Sequence, residues 1–375
     1  MNARPDVVVI GAGIVGAACA EALAGQGMSV LVLDSGFTGC GTTAAGMGHL
    51  VVMDDSPAQL ALTAYSRSLW TELAPELPTN VEYDACGTLW LAEDDNQLQL
   101  LHAKHALYIG KDVSSEVLSS AQLAIAEPNL RPGLAGALYV PGDGVLYPPN
   151  AAHALVRRAL ASGAQLREGV QVRAIGEGKV MLGAETISCG HVVNAAGASA
   201  ASLTRGLPVV PRKGHLVITD RYPGFCRHQL VELGYLTSAH TMSTESVAFN
   251  VQPRATGQLL IGSSREMAGW DATVNRGIVA RMIDRALDFM PALAATSAIR
   301  IWTGFRPATP DNLPLIGPWE GAGGLWIAAG HEGLGITTAL GTARILADLI
   351  TGAVPAIDAA PYSPTRLASL EMVGH

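Results

Sequence analysis

The chain has 375 residues, of which 49% are hydrophobic and 15% are charged, whereas an average soluble protein has roughly 25% charged residues. This composition excludes a disordered chain, which buries too little apolar surface to offset the entropy lost on ordering. The formal net charge is −8 and no run of Lys and Arg occurs, so we expect no nucleic-acid partner. The length predicts about two domains.

The five cysteines are odd in number and show no spacing typical of metal ligands. We therefore expect neither a disulfide framework nor a metal site. No apolar run approaches the roughly 20 residues that cross a bilayer, and the N-terminus lacks the ordered regions of a secretory signal peptide. These features predict a cytoplasmic protein without a membrane span.

The N-terminal segment predicts a strand–helix–strand unit. Val7–Ile10 is a continuous β-branched and apolar run, typical of a strand buried on both faces. The Ala-rich segment Ala17–Gln26 favours a helix, and Ser29–Leu33 is a second apolar strand. The whole unit spans about 30 residues, the usual length of a βαβ motif.

A G-x-G-x-x-G motif lies between the first strand and the helix. Its glycines allow a tight turn, close approach of the backbone to a pyrophosphate and close packing of helix on strand, and the helix N-terminus directs N–H groups at phosphates. Asp34 ends the second strand, where a carboxylate accepts hydrogen bonds from a ribose. The motif predicts a bound dinucleotide without separating FAD from NAD. The residues expected to contact it are Gly11, Gly13, Ile14, Val15, Gly16, Asp34 and Ser35.

The remaining elements follow from apolar periodicity and turn residues. Helices are predicted at Pro57–Leu73, Leu98–Leu107, Ala121–Glu127, Asn150–Ser162 with Asn150 as its N-cap, Ile278–Phe289 and Ile336–Leu349. Strands are predicted at Val170–Ile175, His191–Asn194 and Gly324–Ala328, a hairpin at Val180–Ile187, and antiparallel strands at Val247–Gln252 and Gln258–Ser263.

Segments typical of nucleotide binding thus occur at both ends and in the middle of the chain. We predict an α/β fold with a discontinuous, Rossmann-like domain formed by residues 1–80, 145–210 and 300–365. Residues 81–144 and 211–299 would form an α+β substrate domain built on an antiparallel sheet.

Four further segments occur in order after the glycine motif: Gly41–Gly46, Val193–Ala198, Trp302–Asp311 and Gly330–Thr337. Together they resemble the FAD-dependent D-amino-acid-oxidase family, which includes glycine and sarcosine oxidases. The segment Gly-His-Glu-Gly-Leu-Gly looks closest to the β subunits of proline and D-hydroxyproline dehydrogenases. The resemblance covers nearly the whole chain. It implies non-covalent FAD, and it raises the prospect of FMN at an interface with a partner subunit.

Each segment also has a physical interpretation. The loop Gly41–Gly46 offers hydroxyls and N–H groups to phosphate and flavin, although it also fits a plain connection. Ala195–Gly197 is poor in side chains and suits backbone lying against a cofactor or close helix packing. Gly330–Thr337 starts a helix whose positive end would stabilise a reduced flavin. The cofactor residues that the resemblance implies here are Thr42, Thr43, Ala45, Gly46, Val172, Ala195, Ala196, Gly197, Gly304, Gly330, His331, Gly333, Leu334, Gly335, Ile336 and Thr337.

Arg306 is the main candidate for the substrate site. It lies in an apolar segment, and a buried Arg needs an anionic partner, either a substrate carboxylate, as the resemblance implies, or a structural ion pair. Its planar fork matches a carboxylate. His49 is a second catalytic candidate and equally fits a polar loop histidine. Residues that would line the substrate site are Glu332, Tyr235, Met242 and Phe249.

The function predicted is FAD-dependent oxidation of the Cα–N bond of a small or cyclic amino acid to an imino acid, by hydride transfer to flavin N5. D-Hydroxyproline, proline, sarcosine and glycine are the expected substrates, and the electrons would pass to an acceptor or a partner subunit. Two alternatives stay open, an electron-relay flavoprotein subunit and an NAD(P)-dependent dehydrogenase.

Overall fold

The computed structural model describes residues 4–234 and 245–367. The strands in these ranges are β1 (Val7–Ile10), β2 (Val30–Leu33), β3 (His49–Leu50), β4 (Thr88–Ala92), β5 (Glu116–Ser119), β6 (Gly136–Val140), β7 (Gly144–Val145), β8 (Gln165–Arg167), β9 (Ala174–Gly176), β10 (Lys179–Met181), β11 (Thr186–Ser188), β12 (His191–Asn194), β13 (Val210–Thr219), β14 (Gln229–Glu232), β15 (Glu245–Pro253), β16 (Leu259–Glu266), β17 (Ala298–Ala308), β18 (Leu315–Pro318) and β19 (Leu325–Ala329). The α-helices are α1 (Ile14–Gly25), α2 (Thr42–Ala45), α3 (Pro57–Leu73), α4 (Asp95–Ile109), α5 (Ser120–Ala126), α6 (Pro148–Ala161), α7 (Ala200–Leu203), α8 (Arg276–Phe289) and α9 (Gly335–Thr351).

One sheet of the described chain has six strands in the order β18-β19-β12-β1-β2-β8. All of its neighbours run parallel except β18, which is antiparallel to β19. The central strand β1 is buried along its whole length, as its unbroken apolar run predicts. Helices α1, α3, α6 and α9 contribute to the core on one side of this sheet. The predicted α/β fold class with a Rossmann-like sheet is confirmed.

A second sheet has eight strands in the order β17-β13-β16-β15-β14-β4-β6-β5 within the described ranges. Its neighbours are antiparallel except β14 and β4, which run parallel. Helix α8 packs on this sheet through buried apolar residues such as Met282 and Phe289. The predicted antiparallel sheet is therefore present, and one face of it is covered by a helix.

Two glycines join the two parts of the fold. Gly214 on β13 lies directly opposite Gly304 on β17. A Cβ atom added to Gly304 would lie 2.4 Å from the Cβ atom of Ala45. The small residue at position 304 therefore lets the loop around α2 pack directly on the edge of the eight-stranded sheet.

Two local predictions are wrong. Only the last two residues of the segment predicted as the strand Val170–Ile175 belong to a strand, β9. The start of the segment is held elsewhere, because the N–H groups of Gly169 and Val170 donate to the carbonyls of Gly36 and Asp34 in the loop after β2. Asn150 is not an N-cap. Helix α6 begins two residues earlier, at a proline that suits the first turn, and the Asn150 amide donates instead to the Asn80 carbonyl over 2.7 Å.

The domain boundaries stay predictions, although the sheets locate one segment clearly. Strand β17 belongs to the eight-stranded sheet, while its residues from position 300 onward were assigned to the nucleotide domain by sequence. None of the helices within the described ranges is both long enough and apolar enough to cross a membrane.

We expect Gly16→Ala to lower the free energy of unfolding by about 3 kcal/mol, because the added Cβ overpacks the strand–helix turn. That atom would lie 1.9 Å from the backbone oxygen of Gly11. Gly25→Ala is the matched control, since no atom lies within 4 Å of its added Cβ, and its effect should stay below about 1 kcal/mol. Urea unfolding of both variants measures the difference, and equal stabilities would contradict the role of Gly16.

Candidate active site

A large cavity of about 580 Å³ lies at the carboxyl ends of the central parallel strands. Residues following β1, β2 and β12 line one side of it, and residues of β13, β16 and β17 line another. In open α/β sheets, the crevice at this end of the strands is where ligands bind. We call this cavity the cleft.

The glycine motif opens one end of the cleft. Gly11 has a φ of +106°, and a Cβ atom there would lie 2.5 Å from the carbonyl oxygen of Ala195. Helix α1 therefore starts directly at the cleft, where its N-terminal dipole favours an anion. The Ile14 N–H donates to Oγ1 of Thr43 over 3.0 Å, which fixes the loop around α2 against the start of this helix.

Asp34 lies at the same end of the cleft. Its Oδ2 accepts a hydrogen bond from the Ala12 N–H over 2.6 Å, and its Oδ1 accepts one from the Gly36 N–H over 2.7 Å. A carboxylate can accept about four hydrogen bonds. Asp34 thus both shapes the turn and keeps acceptor capacity for the hydroxyls of a ribose.

The start of helix α9 closes the other end of the cleft. His331 is buried, and its Nε2 forms a 3.0 Å hydrogen bond with Oγ1 of Thr342. Burial lowers the pKa of His331 to about 3, so the imidazole is neutral at physiological pH. Thr337 is also buried and donates to the His49 carbonyl over 2.8 Å. This hydrogen bond ties strand β3 to the helix.

The structure brings most of the predicted site residues together. All of the predicted cofactor residues line the cleft except Gly16, Gly330, Leu334 and Thr337. Leu334 lines a smaller neighbouring cavity. His49, Arg306 and Glu332 also line the cleft.

Of the three further residues predicted to line the substrate site, the structure locates only Phe249. Tyr235 and Met242 lie outside the described residues. Phe249 lies in the core, stacked on Phe289 with ring centroids 4.4 Å apart. It borders neither cavity.

Arg306 crosses the sheet edge at a glycine. A Cβ atom added to Gly214 would lie 2.2 Å from Nη1 of Arg306, so a larger residue at position 214 would displace this guanidinium. Nη1 donates to the carbonyl oxygen of Ser264 over 2.9 Å. Within residues 4–234 and 245–367, no carboxylate forms an ion pair with Arg306. Most of its five N–H groups remain available to the cleft.

Glu332 has its own arginine partners. Its Oε1 lies 3.1 Å from Nε of Arg265 and 4.0 Å from Nη1 of Arg212. Partial burial alone would raise the pKa of Glu332, but Arg265, Arg306 and Arg212 outweigh it and lower that pKa to about 2. Glu332 is therefore an ionised carboxylate whose charge is balanced chiefly by Arg265.

His49 lines both cavities. Loss of contact with water is the main reason that its pKa falls to about 3, and the charge of Arg306 lowers it further. Its buried Nε2 has no hydrogen-bond partner among the described residues. His49 thus presents a neutral imidazole, not a cation, to the cleft.

Sequence reasoning missed several lining residues that come from the second sheet and from the turn after β16. Gly214, Asn250, Ser263 and Trp270 all line the cleft. A glycine inside a strand, as at position 214 of β13, could have signalled a close approach. No pattern in the sequence distinguishes Asn250 or Ser263 from other polar residues of β15 and β16, because only strand pairing brings them to the cleft.

Comparisons with known proteins agree with this geometry. A sequence model of the family described as FAD dependent oxidoreductase matches residues 6–349. A glycine oxidase of Pseudomonas aeruginosa is 32% identical over 376 residues, covering 96% of this chain and 98% of that protein. A D-amino acid dehydrogenase of Xanthobacter autotrophicus is 32% identical, covering 82% of this chain and 74% of that protein. The crystal structure of glycine oxidase from Geobacillus kaustophilus superimposes with a TM-score of 0.87 at 30% identity, covering 97% of this chain and 99% of that one.

The residues of the cleft fit FAD. The glycine turn leaves space that a Cβ atom would fill, Asp34 keeps acceptor capacity, and two helix N-termini open into the cavity. Cys40 borders the cleft beside Asp34, with 3.7 Å between its Sγ and Oδ1. It therefore lies at the ribose end of the proposed site. Non-covalent binding of the flavin stays a prediction.

We expect the protein to lose stability as the pH falls from about 6.5 towards 3. The unfolded chain protonates His331 near its ordinary pKa of about 6.5, while the folded protein excludes the proton until about pH 3. One such group changes the free energy of unfolding by up to about 1.4 kcal/mol per pH unit.

His331→Gln should make the loss between pH 6 and 4 correspondingly shallower. Urea unfolding at pH 7, 6, 5 and 4 with excess FAD measures this slope. His153→Gln changes an exposed histidine of α6 and serves as the control. Identical slopes for the wild type and His331→Gln would contradict the prediction.

Proposed function

Because the chain belongs to the family of FAD-dependent oxidoreductases, we propose that it oxidises the Cα–N bond of a small or cyclic amino acid to an imino acid. Its similarity to a glycine oxidase and to a D-amino acid dehydrogenase supports this class of substrate. Proline, D-hydroxyproline, sarcosine and glycine are the candidates. The sequence resemblance favours the two cyclic ones.

Arg306 carries the proposal. Its guanidinium lines the cleft, hydrogen-bonds to a main-chain carbonyl and forms no ion pair within the described chain. A partly buried guanidinium without a carboxylate is costly unless a ligand supplies the anion. A substrate carboxylate provides that anion with two parallel hydrogen bonds, and it fixes the direction in which the Cα–H bond points.

The groups around the cleft favour hydride loss from a neutral amine. When bound, FAD supplies the hydride acceptor. Glu332 has a pKa of about 2 and His49 a pKa of about 3, so both are weak bases. In the described part of the cleft, no other histidine or carboxylate near the proposed substrate position has a pKa close to 7. The substrate amine therefore loses its proton before the reaction, and no protein base has to act on it.

The start of helix α9 is placed to assist the reaction. Gly335 and Ile336 lie in its first turn and line the cleft. N–H groups at a helix N-terminus stabilise negative charge that develops beside them. This position supports the interpretation of the Gly330–Thr337 segment as the flavin end of the site.

The electron acceptor is a separate part of the proposal. The resemblance to β subunits of proline-type dehydrogenases supports transfer to an acceptor or a partner subunit, with FMN as a second cofactor at that interface. The same resemblance leaves an electron-relay role as the alternative, and oxidation of a substrate by the isolated chain separates the two. A cytoplasmic location stays a prediction.

We expect Arg306→Gln to lower kcat/KM for the oxidised amino acid about 100-fold, equivalent to about 2.7 kcal/mol of transition-state stabilisation. The amide keeps hydrogen-bonding capacity but loses the charge and the fork that match a carboxylate. Arg300→Gln is the matched control, because Arg300 is an exposed residue of the same strand. A similar loss of kcat/KM in both variants would contradict the proposed role of Arg306 in binding the substrate carboxylate.

Anaerobic bleaching of the flavin tests the function directly. The panel contains both enantiomers of proline and 4-hydroxyproline, with sarcosine, glycine and D-alanine. Bleaching by an amino acid supports the proposal, and the rate of recolouring in air separates an oxidase from a dehydrogenase. A protein that binds FAD and is bleached by none of them would refute it.

A further inference from the structure

A smaller cavity of about 60 Å³ adjoins the cleft. The two cavities share His49, Asn250, Glu332 and Gly333 in their walls. A cavity of about 10–15 Å³ is enough to hold one water molecule. The smaller cavity can therefore hold several atoms of a ligand that lies in the cleft. We call it the side pocket.

Besides Nε2 of His49, four buried polar atoms of the side pocket have no hydrogen-bond partner among the described residues. They are Nε1 of Trp90, Nε2 and Oε1 of Gln229, and Oδ1 of Asn250. The three side chains are at most 4% exposed. Buried polar groups nearly always have partners in folded proteins, so two donors and two acceptors gathered around one cavity indicate a missing polar ligand.

Strand pairing places these side chains on one face of the sheet. Trp90 on β4 lies opposite Val231 on β14, which lies opposite Asn250 on β15. These three residues form one row across neighbouring strands. Gln229 precedes Val231 by two positions and therefore points to the same face. The four polar atoms thus belong to side chains of paired strands, whose positions are fixed by the sheet.

The little-exposed charges in the remaining walls are paired. Val51 and Met53 are apolar, and His49 is neutral. Arg265 and Glu332 form an ion pair with each other. Asp55 also borders the side pocket, but it is an exposed residue whose charge is screened by solvent. A ligand group in this pocket therefore meets buried hydrogen-bonding partners together with a paired Arg265 and Glu332.

Arg306 and the side pocket lie close together on one sheet. The Arg306 guanidinium bonds to the carbonyl of Ser264 on β16, and Asn250 and Gln229 lie on β15 and β14, the next two strands. The two cavities also share part of their walls. A ligand whose carboxylate binds Arg306 in the cleft can therefore extend its side chain into the side pocket.

We propose that the side pocket receives the side chain or ring substituent of the substrate and selects an uncharged group that both donates and accepts hydrogen bonds, a hydroxyl or a carboxamide. A carboxylate only accepts hydrogen bonds and would leave the two acceptors of the pocket unsatisfied, whereas an ammonium only donates and would leave the two donors unsatisfied. An apolar group would leave all four atoms without partners. This inference rests on the proposed function and adds a substrate class to it.

Matched substrates test the selection. The holoenzyme is mixed anaerobically with 4-hydroxyproline against proline, and with serine or asparagine against alanine, using both enantiomers. We expect the flavin to be reduced about 10- to 100-fold more efficiently by the polar member of a pair. Preference for serine over asparagine, or the reverse, identifies which group fits. Equal efficiencies within every pair would overturn the proposal.

Gln229→Leu should reduce this preference towards unity by lowering kcat/KM for the polar substrate relative to that for alanine or proline. Leucine has a similar size and removes two of the four polar atoms. Ser66→Ala is the control, because Ser66 also has a buried oxygen without a partner but lies against Gly341 of α9, outside the side pocket. A preference that survives in Gln229→Leu, or is lost equally in Ser66→Ala, would contradict the proposed role.

A binding measurement separates this inference from the proposed function. DL-Glycerate and DL-lactate differ by one hydroxyl and carry no amine to oxidise. The shift of the melting temperature of the holoenzyme with ligand concentration gives each dissociation constant, and we expect glycerate to bind about 10-fold more tightly. Tighter binding of glycerate without oxidation of any amino acid would leave the side pocket in place and refute the proposed function. Equal binding of glycerate and lactate by an enzyme that oxidises amino acids would refute the role of the side pocket and leave the proposed function in place.

Discussion

The guanidinium of Arg306 lies across Gly214, where a Cβ atom would displace it. This contact depends on the antiparallel pairing of β13 with β17, which sets Gly214 opposite Gly304. Gly304 in turn makes room for Ala45 from the loop that follows the first βαβ unit. The position of the candidate substrate anchor and the contact between this loop and the eight-stranded sheet therefore depend on two glycines that face each other.

The arginines around the proposed substrate anchor differ in whether they have a carboxylate partner. The acidic residue Glu332 feels the charge of Arg306, but it forms an ion pair with Arg265 and is approached by Arg212. Arg306 is left with a main-chain carbonyl. An excess of positive charge in a partly dry cleft is unfavourable unless an anion enters. Among Arg212, Arg265 and Arg306, therefore, Arg306 is the arginine that forms no ion pair with a carboxylate of the described residues.

Sequence predicted the parts of the site whose geometry is local. The glycine motif and Asp34 follow from the spacing of residues close in the chain, and the turn before α9 from the family resemblance of one continuous segment. The segment Val170–Ile175 has apolar residues typical of a strand, but the Val170 N–H bonds to the loop after β2, and no local pattern reports that competition. Trp90, Gln229 and Asn250 meet only through the order of β4, β14 and β15, which a single sequence does not show.

The two sheets hold different parts of the proposed chemistry. The ends of the parallel strands and the starts of α1 and α9 form the cofactor end of the cleft, while the eight-stranded sheet carries both Arg306 and the polar atoms of the side pocket. Arg306 and the polar atoms of the side pocket therefore lie on the same sheet, which keeps their relative positions fixed, as a precise binding site requires. A substitution at Gln229 can change the accepted side chain without altering the lining of the cleft, because Gln229 borders the side pocket alone, whereas Asn250 borders both cavities.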